Sequence, residues 1–132
     1  MGASNYLRNK ALDHVFGGVS YSRPGSLYFQ LHTGAPGDDG VANVATGTGI
    51  LRVELTNNVT NFPAAASGVK LSGADIVWPV AGGSWGTVTH FSIFDELTGG
   101  ECIATGSLGA AQSIALNDIF VIPSGDLDLT MT

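Results

Sequence analysis

Charge is scarce in this sequence. Only 12% of its 132 residues are Asp, Glu, Lys or Arg, about half the usual share of roughly 25%. A chain so poor in charge covers part of its surface with neutral polar groups or hides it against a partner, since large uncharged patches mark contact sites. Cations are the scarcer sign, five against eleven acids, for a net charge of −6. That balance argues against nucleic acid as the main partner, because such binding is built on Lys and Arg neutralising phosphates. Cysteine is nearly absent. The single Cys102 excludes an internal disulfide framework, and its setting in Cys102-Ile103-Ala104 marks a small core hydrophobe on a buried strand. No apolar run reaches the roughly 18 residues of a membrane-spanning helix. The N-terminus also lacks the apolar stretch of a signal peptide. Both point to a soluble protein made in the cytosol, with no membrane partner.

What is present suits one domain over residues 1–132. The chain is 44% apolar, and a core at this length needs neither metal nor disulfide staples. Charge is unevenly spread. Arg8, Lys10 and Arg23 lie in the first 23 residues, while no cation follows Lys70 and seven acids do, from Asp75 to Asp128. A weakly basic head and an acidic body favour docking onto a neighbour of complementary charge; an ordinary, unevenly charged solvated surface is the plainer alternative.

Periodicity predicts one helix over about residues 4–16. Ser4 or Asn5 can cap it, and Tyr6, Leu7, Ala11, Leu12, Val15 and Phe16 recur near the spacing of a single buried face. Gly17-Gly18 ends it. At about three turns such a helix is marginal alone, so its stripe must rest on the domain or on another subunit. Beyond it the signals change to strands: Leu27 to His32, Leu51 to Thr56, Thr87 to Phe94, Glu101 to Thr105, Ile119 to Ile122 and Leu127 to Met131. Ile119-Phe120-Val121-Ile122 is apolar on both faces, as for a strand covered on each side. Gly-rich turns separate these runs, and residues 34–49 make the longest weakly structured segment, which marks a functional or mobile loop. Many short strands with frequent turns give an all-β fold: a single jelly-roll-like β-sandwich with one short N-terminal α-helix.

Reactive constellations are not legible. His14, His32 and His90 belong to no nucleophile or metal motif. A metal site from His32, His90 and Asp38 is conceivable only if distant strands converge, and such histidines more often pack with one nitrogen hydrogen-bonded. Asp38-Asp39-Gly40 has the chemistry of a turn, since Val41, Asn43 and Val44 break a calcium-loop pattern. No cofactor and no catalytic residue follow from the sequence. Trp78 precedes Pro79 and Trp85 follows Gly82-Gly83-Ser84, so both fall near strand ends. There they either cover the open end of the core or stack on sugar rings, as in a glycan-binding module.

A resemblance adds to this. Ser4-Asn5-Tyr6-Leu7 with Ala11-Leu12-Asp13-His14-Val15-Phe16-Gly17-Gly18, then Leu27-Tyr28-Phe29-Gln30-Leu31-His32-Thr33 before Pro36-Gly37, and Gly83-Ser84-Trp85-Gly86-Thr87-Val88-Thr89-His90-Phe91 before Ile93-Phe94-Asp95 occur in order. With Thr98-Gly99-Gly100 and Ser124-Gly125-Asp126-Leu127 they resemble a family of small structural proteins of tailed phages and prophages, often described as tail-fibre proteins. The resemblance implies a non-catalytic part of the virion, made in the bacterial cytoplasm. Short length and the lack of repeats speak against a fibre shaft. A compact, weakly charged β-sandwich with an amphipathic helix instead suits a capsid cement or decoration protein on the capsid surface, and the resemblance to such proteins implies the major capsid protein as partner and pairing with itself as a homodimer or homotrimer. A tail or tail-fibre-associated protein is the alternative, a glycan-binding receptor module a further one, and a small metal-dependent hydrolase a distant last. The expected contact residues are Tyr6, Leu7, Arg8 and Lys10 on the helix, with Pro36, Asp38, Asp39, Val41 and Val44 in the long loop.

Overall fold

The computed structural model describes residues 2–131. The chain runs β1 (Gly2–Ala3), α1 (Asn5–Val15), β2 (Ser26–His32), β3 (Val53–Thr56), β4 (Lys70–Leu71), β5 (Ile76–Val77), β6 (Gly86–Phe94), β7 (Cys102–Ile114), β8 (Val121–Ile122) and β9 (Asp128–Leu129). A five-stranded antiparallel sheet in the order β1-β7-β6-β2-β3 carries the fold. The all-β class with one short N-terminal helix therefore holds. Opposite strands align one apolar face: Phe29 pairs with Ile93 and Leu31 with Phe91. These residues join Leu27, Val88, Ala104 and Ile114 in one buried cluster.

The other side of that cluster is built from less. Of two two-stranded ribbons, β5–β8 contributes Ile76 and Ile122 and β4–β9 the partly buried Leu129, with Trp78 and Leu127 beside them. A jelly roll would place a second continuous sheet here. The chain outside the main sheet instead carries Pro63, Pro79 and Pro123 with glycines 68, 73, 82, 83 and 125, which cannot sustain a long ladder. Ile119 to Ile122 is not covered on both faces either. Ile122 is buried and Phe120 meets Trp78 edge-on at 5.4 Å, whereas Ile119 and Val121 are exposed. The core therefore lies on one side of this segment only.

Helix α1 begins as its sequence implies. The Ser4 hydroxyl accepts from the Leu7 N–H at 3.2 Å and donates to the Cys102 carbonyl at 2.5 Å, so one buried side chain caps the helix and ties it to β7. At the far end Gly18 adopts φ +71° and the Val19 N–H returns to the Asp13 carbonyl at 3.1 Å, satisfying a terminal acceptor. Strand β7 runs well past Thr105. Its small residues Gly106, Gly109, Ala110 and Ala111 carry no apolar alternation, but backbone pairing with β6 extends to Gly86↔Ile114. A register shift at Ile93/Phe94 sets two residues of β7 against one of β6, and Ile103 and Ala104 both enter the core.

Candidate functional site

The face of the sheet opposite the core is polar and is built by the alternate residues of β2 and β6. Cross-strand pairs Tyr28↔Phe94, Gln30↔Ser92 and His32↔His90 lie there. His32 is wholly buried. Its Nδ1 lies 2.8 Å from the Ala42 carbonyl, which only accepts, so Nδ1 carries the proton. Nε2 then accepts from the Ser92 hydroxyl at 2.7 Å. Burial pushes the His32 pKa down from its ordinary value, which keeps the ring neutral. Gln30 donates to the Gly40 carbonyl at 3.1 Å and accepts from Arg52 Nε at 2.9 Å. The Arg52 guanidinium stacks 3.7 Å above the Phe94 ring and donates to the carbonyls of Glu96 and Gly99.

This network staples the long loop to the sheet. The Thr33 N–H donates to Asn43 O at 2.8 Å and the Ala45 N–H to Leu31 O at 2.9 Å. Gly40 passes so close that a Cβ there would sit 2.8 Å from the Phe94 ring and 3.0 Å from Cys102 Sγ, at φ +69°. Only glycine fits. Cys102 is buried beneath it, and burial raises its thiol pKa to about 11.

The expected contact residues divide accordingly. Helix and loop do meet: the Asn5 N–H donates to Asp38 Oδ1 at 3.0 Å. Tyr6, Asp38, Asp39 and Val41 surround one cleft of about 240 Å³ with Arg52 and Glu101. Arg8 and Leu7 are half-buried and Lys10 is exposed, 5.6 Å from the Tyr6 ring centroid. Pro36 is buried beneath the loop, while Val44 is exposed beside the His32 bridge. Among the described residues no group of three His, Cys, Asp or Glu side chains is arranged to hold a metal ion. Trp78 and Trp85 are each 1% exposed, and the Trp85 indole donates to the Thr48 carbonyl at 2.9 Å. Neither presents a ring to a sugar.

The helix stripe rests on its own domain only at its start. No residue of α1 is buried; only Tyr6 and Leu7 touch the core, and Val15 and Phe16 are 67% and 78% exposed. Leu12, Val15, Phe16 and Met131 border a shallow apolar depression of about 260 Å³. Met131 also borders a groove of about 390 Å³ floored by Leu7, Leu27, Ile93, Ile103 and Leu129. The two meet at Met131.

A second feature has no signal in the sequence. Tyr6, Tyr21 and Tyr28, all the tyrosines of the chain, line one open cleft of about 520 Å³ with Asp95 and Glu96. They come from the helix, the connection to β2, and β2 itself, with no common spacing. The Tyr28 hydroxyl donates to Glu54 Oε2 at 3.0 Å. Burial raises the pKa of Tyr6 and of Tyr21, and in each case the charge of Asp95 adds to the effect.

No curated protein matches this chain. A protein-family model does, over residues 2–130, and it is described as podophage GP4 fiber I protein gp80. That span takes in the sheet, both ribbons and the helix, and the chain belongs to the family of the podophage GP4 fiber I protein gp80, a family of phage fibre structural proteins.

Proposed function

We propose that this chain is a non-catalytic component of a podophage tail fibre, and that it assembles with further copies of itself through the apolar surface of α1. The carrying observation is the match to a fibre protein family over residues 2–130. It favours tail attachment over the capsid cement role that compact size suggests. The stripe of Leu12, Val15 and Phe16 and the groove beside Met131 adjoin, so a rotational arrangement lets the helix of one copy fill the groove of the next. Charge agrees: the stripe belongs to the basic head with Arg8 and Lys10, and the rest of the body is acidic. Apolar burial supplies the energy, at about 25 cal/mol per Å², and repetition around the tail multiplies it.

Counting copies in purified particles tests the location. A fibre component is present in tens at most, in step with the tail's symmetry; hundreds of copies would restore the cement role and sink the fibre assignment. Sedimentation of the purified chain tests the interface. An oligomer that Phe16→Asp converts to folded monomer supports it, and a wild-type monomer at high concentration contradicts it.

A further inference from the structure

We infer that the tyrosine-lined cleft beside α1 binds a saccharide, of neutral or amino hexoses and not of acidic ones. Three independent segments deliver a tyrosine to it, and none of the three is buried in the core. A tyrosine offers an apolar ring for the C–H face of a pyranose and a hydroxyl for its rim. Around those rings stand the acceptors that vicinal hydroxyls require. Asp95 and Glu96 close the end of β6, and Ser22 and Ser26 supply hydroxyls that donate or accept.

The groups are held in place before any ligand arrives. Asp95 Oδ1 accepts from the Glu101 N–H at 2.8 Å, and the Asp95 N–H donates to the Glu101 carbonyl at 3.2 Å. Tyr28 is pinned through Glu54. Preorganisation of this kind lowers the entropy lost on binding. The volume, about 520 Å³, lies within the roughly 300–1,000 Å³ of small-ligand sites.

Electrostatics set the selectivity. The residues lining the cleft include two carboxylates and no Lys, Arg or His. The carboxylate charge of Asp95, which adds to burial in raising the Tyr6 and Tyr21 pKa values, repels carboxylated sugars and accommodates neutral or ammonium-bearing ones. The inference concerns the cleft alone and stands apart from the place of the chain in the particle, so copy number and ligand binding can fail separately.

The test is titration calorimetry with saturation-transfer NMR on the full chain. The probes are maltotriose, a glucosamine trimer, a galacturonic acid trimer and a lysine-rich peptide. Binding of maltotriose or the glucosamine trimer, with the uronic trimer silent, is expected. Tyr21→Ala should weaken that binding about tenfold, while Tyr21→Phe, which keeps the ring, stays within about threefold of wild type. Circular dichroism establishes that both variants fold. Asp95→Asn supplies a second, charge-only perturbation, and it should admit the uronic trimer. The inference is overturned by silence of all three sugars at ten millimolar, by preference for the uronic trimer, by binding of the peptide alone, or by an unchanged Tyr21→Ala.

Discussion

Replacing His32 with Phe isolates the network that holds the long loop on the sheet. His32 is fully buried and uses both ring nitrogens, one to the Ala42 carbonyl and one to the Ser92 hydroxyl. Phenylalanine keeps the ring and breaks both bonds. Ala42 belongs to an exposed stretch, so its carbonyl can turn to water, and that loss is about 0.5–1.5 kcal/mol. Ser92 is wholly buried and its orphaned hydroxyl costs about 1–3 kcal/mol. The sum, about 1.5–4.5 kcal/mol, leaves a domain of ordinary stability folded. Adding Ser92→Ala then removes the orphan. The same change that destabilises the wild type, by leaving Nε2 only the longer contact to Gln30 Nε2 at 3.4 Å, therefore stabilises the His32→Phe protein by about 1–2 kcal/mol. Urea unfolding of the four proteins measures this directly. A His32→Phe cost below about 0.5 kcal/mol, or an equal Ser92→Ala cost in both backgrounds, refutes the network. Hydrogen exchange adds a spatial check: the amides of Thr33 and Ala45 should lose protection while those of β6 and β7 keep theirs.

Three further outcomes follow from the same geometry. Because burial depresses the His32 pKa, the unfolded chain binds the extra proton first. The stabilisation is complete above about pH 6.5 and is lost as pH falls toward the lower folded value; unfolding midpoints against pH should show this slope in wild type and not in His32→Phe. Gly40→Ala combines a left-handed φ with a Cβ against Phe94 and Cys102, and should cost about 2–5 kcal/mol by thermal or urea unfolding; a neutral change means the loop does not lie where described. The Cys102 thiol, buried with its pKa raised to about 11, should react with a disulfide reagent at pH 8 far more slowly in the native chain than in urea, and equal rates would contradict its burial.

Much of this architecture is visible in the amino acids where side-chain pattern and backbone demand coincide. Ser4 and Gly17-Gly18 bound the helix because capping and left-handed termination are local chemistry. Strands β2 and β6 show themselves because alternate residues face a buried cluster. Where pairing alone makes the strand, as in β4 and the Gly- and Ala-rich half of β7, nothing local announces it. Trp78 and Trp85 mislead for a related reason: neighbouring Pro79 and Gly83 mark loop edges, yet large indole volumes are drawn into the core under them. The helix stripe is plain in the sequence, but what covers it depends on a surface outside the helix. The tyrosine cleft is the least legible feature, since residues 6, 21 and 28 meet only through the packing of α1 against the sheet edge. Its carboxylates come from the far end of β6.

Fractionating disrupted virions bears most directly on the central claim, that this chain is a structural part of the tail fibre. Capsid shells and tail complexes would be separated by density and probed with an antibody to the chain. Co-migration with the tail complexes, in fixed ratio to its other proteins, is the predicted result. Recovery on the shells, or absence from particles altogether, would contradict it.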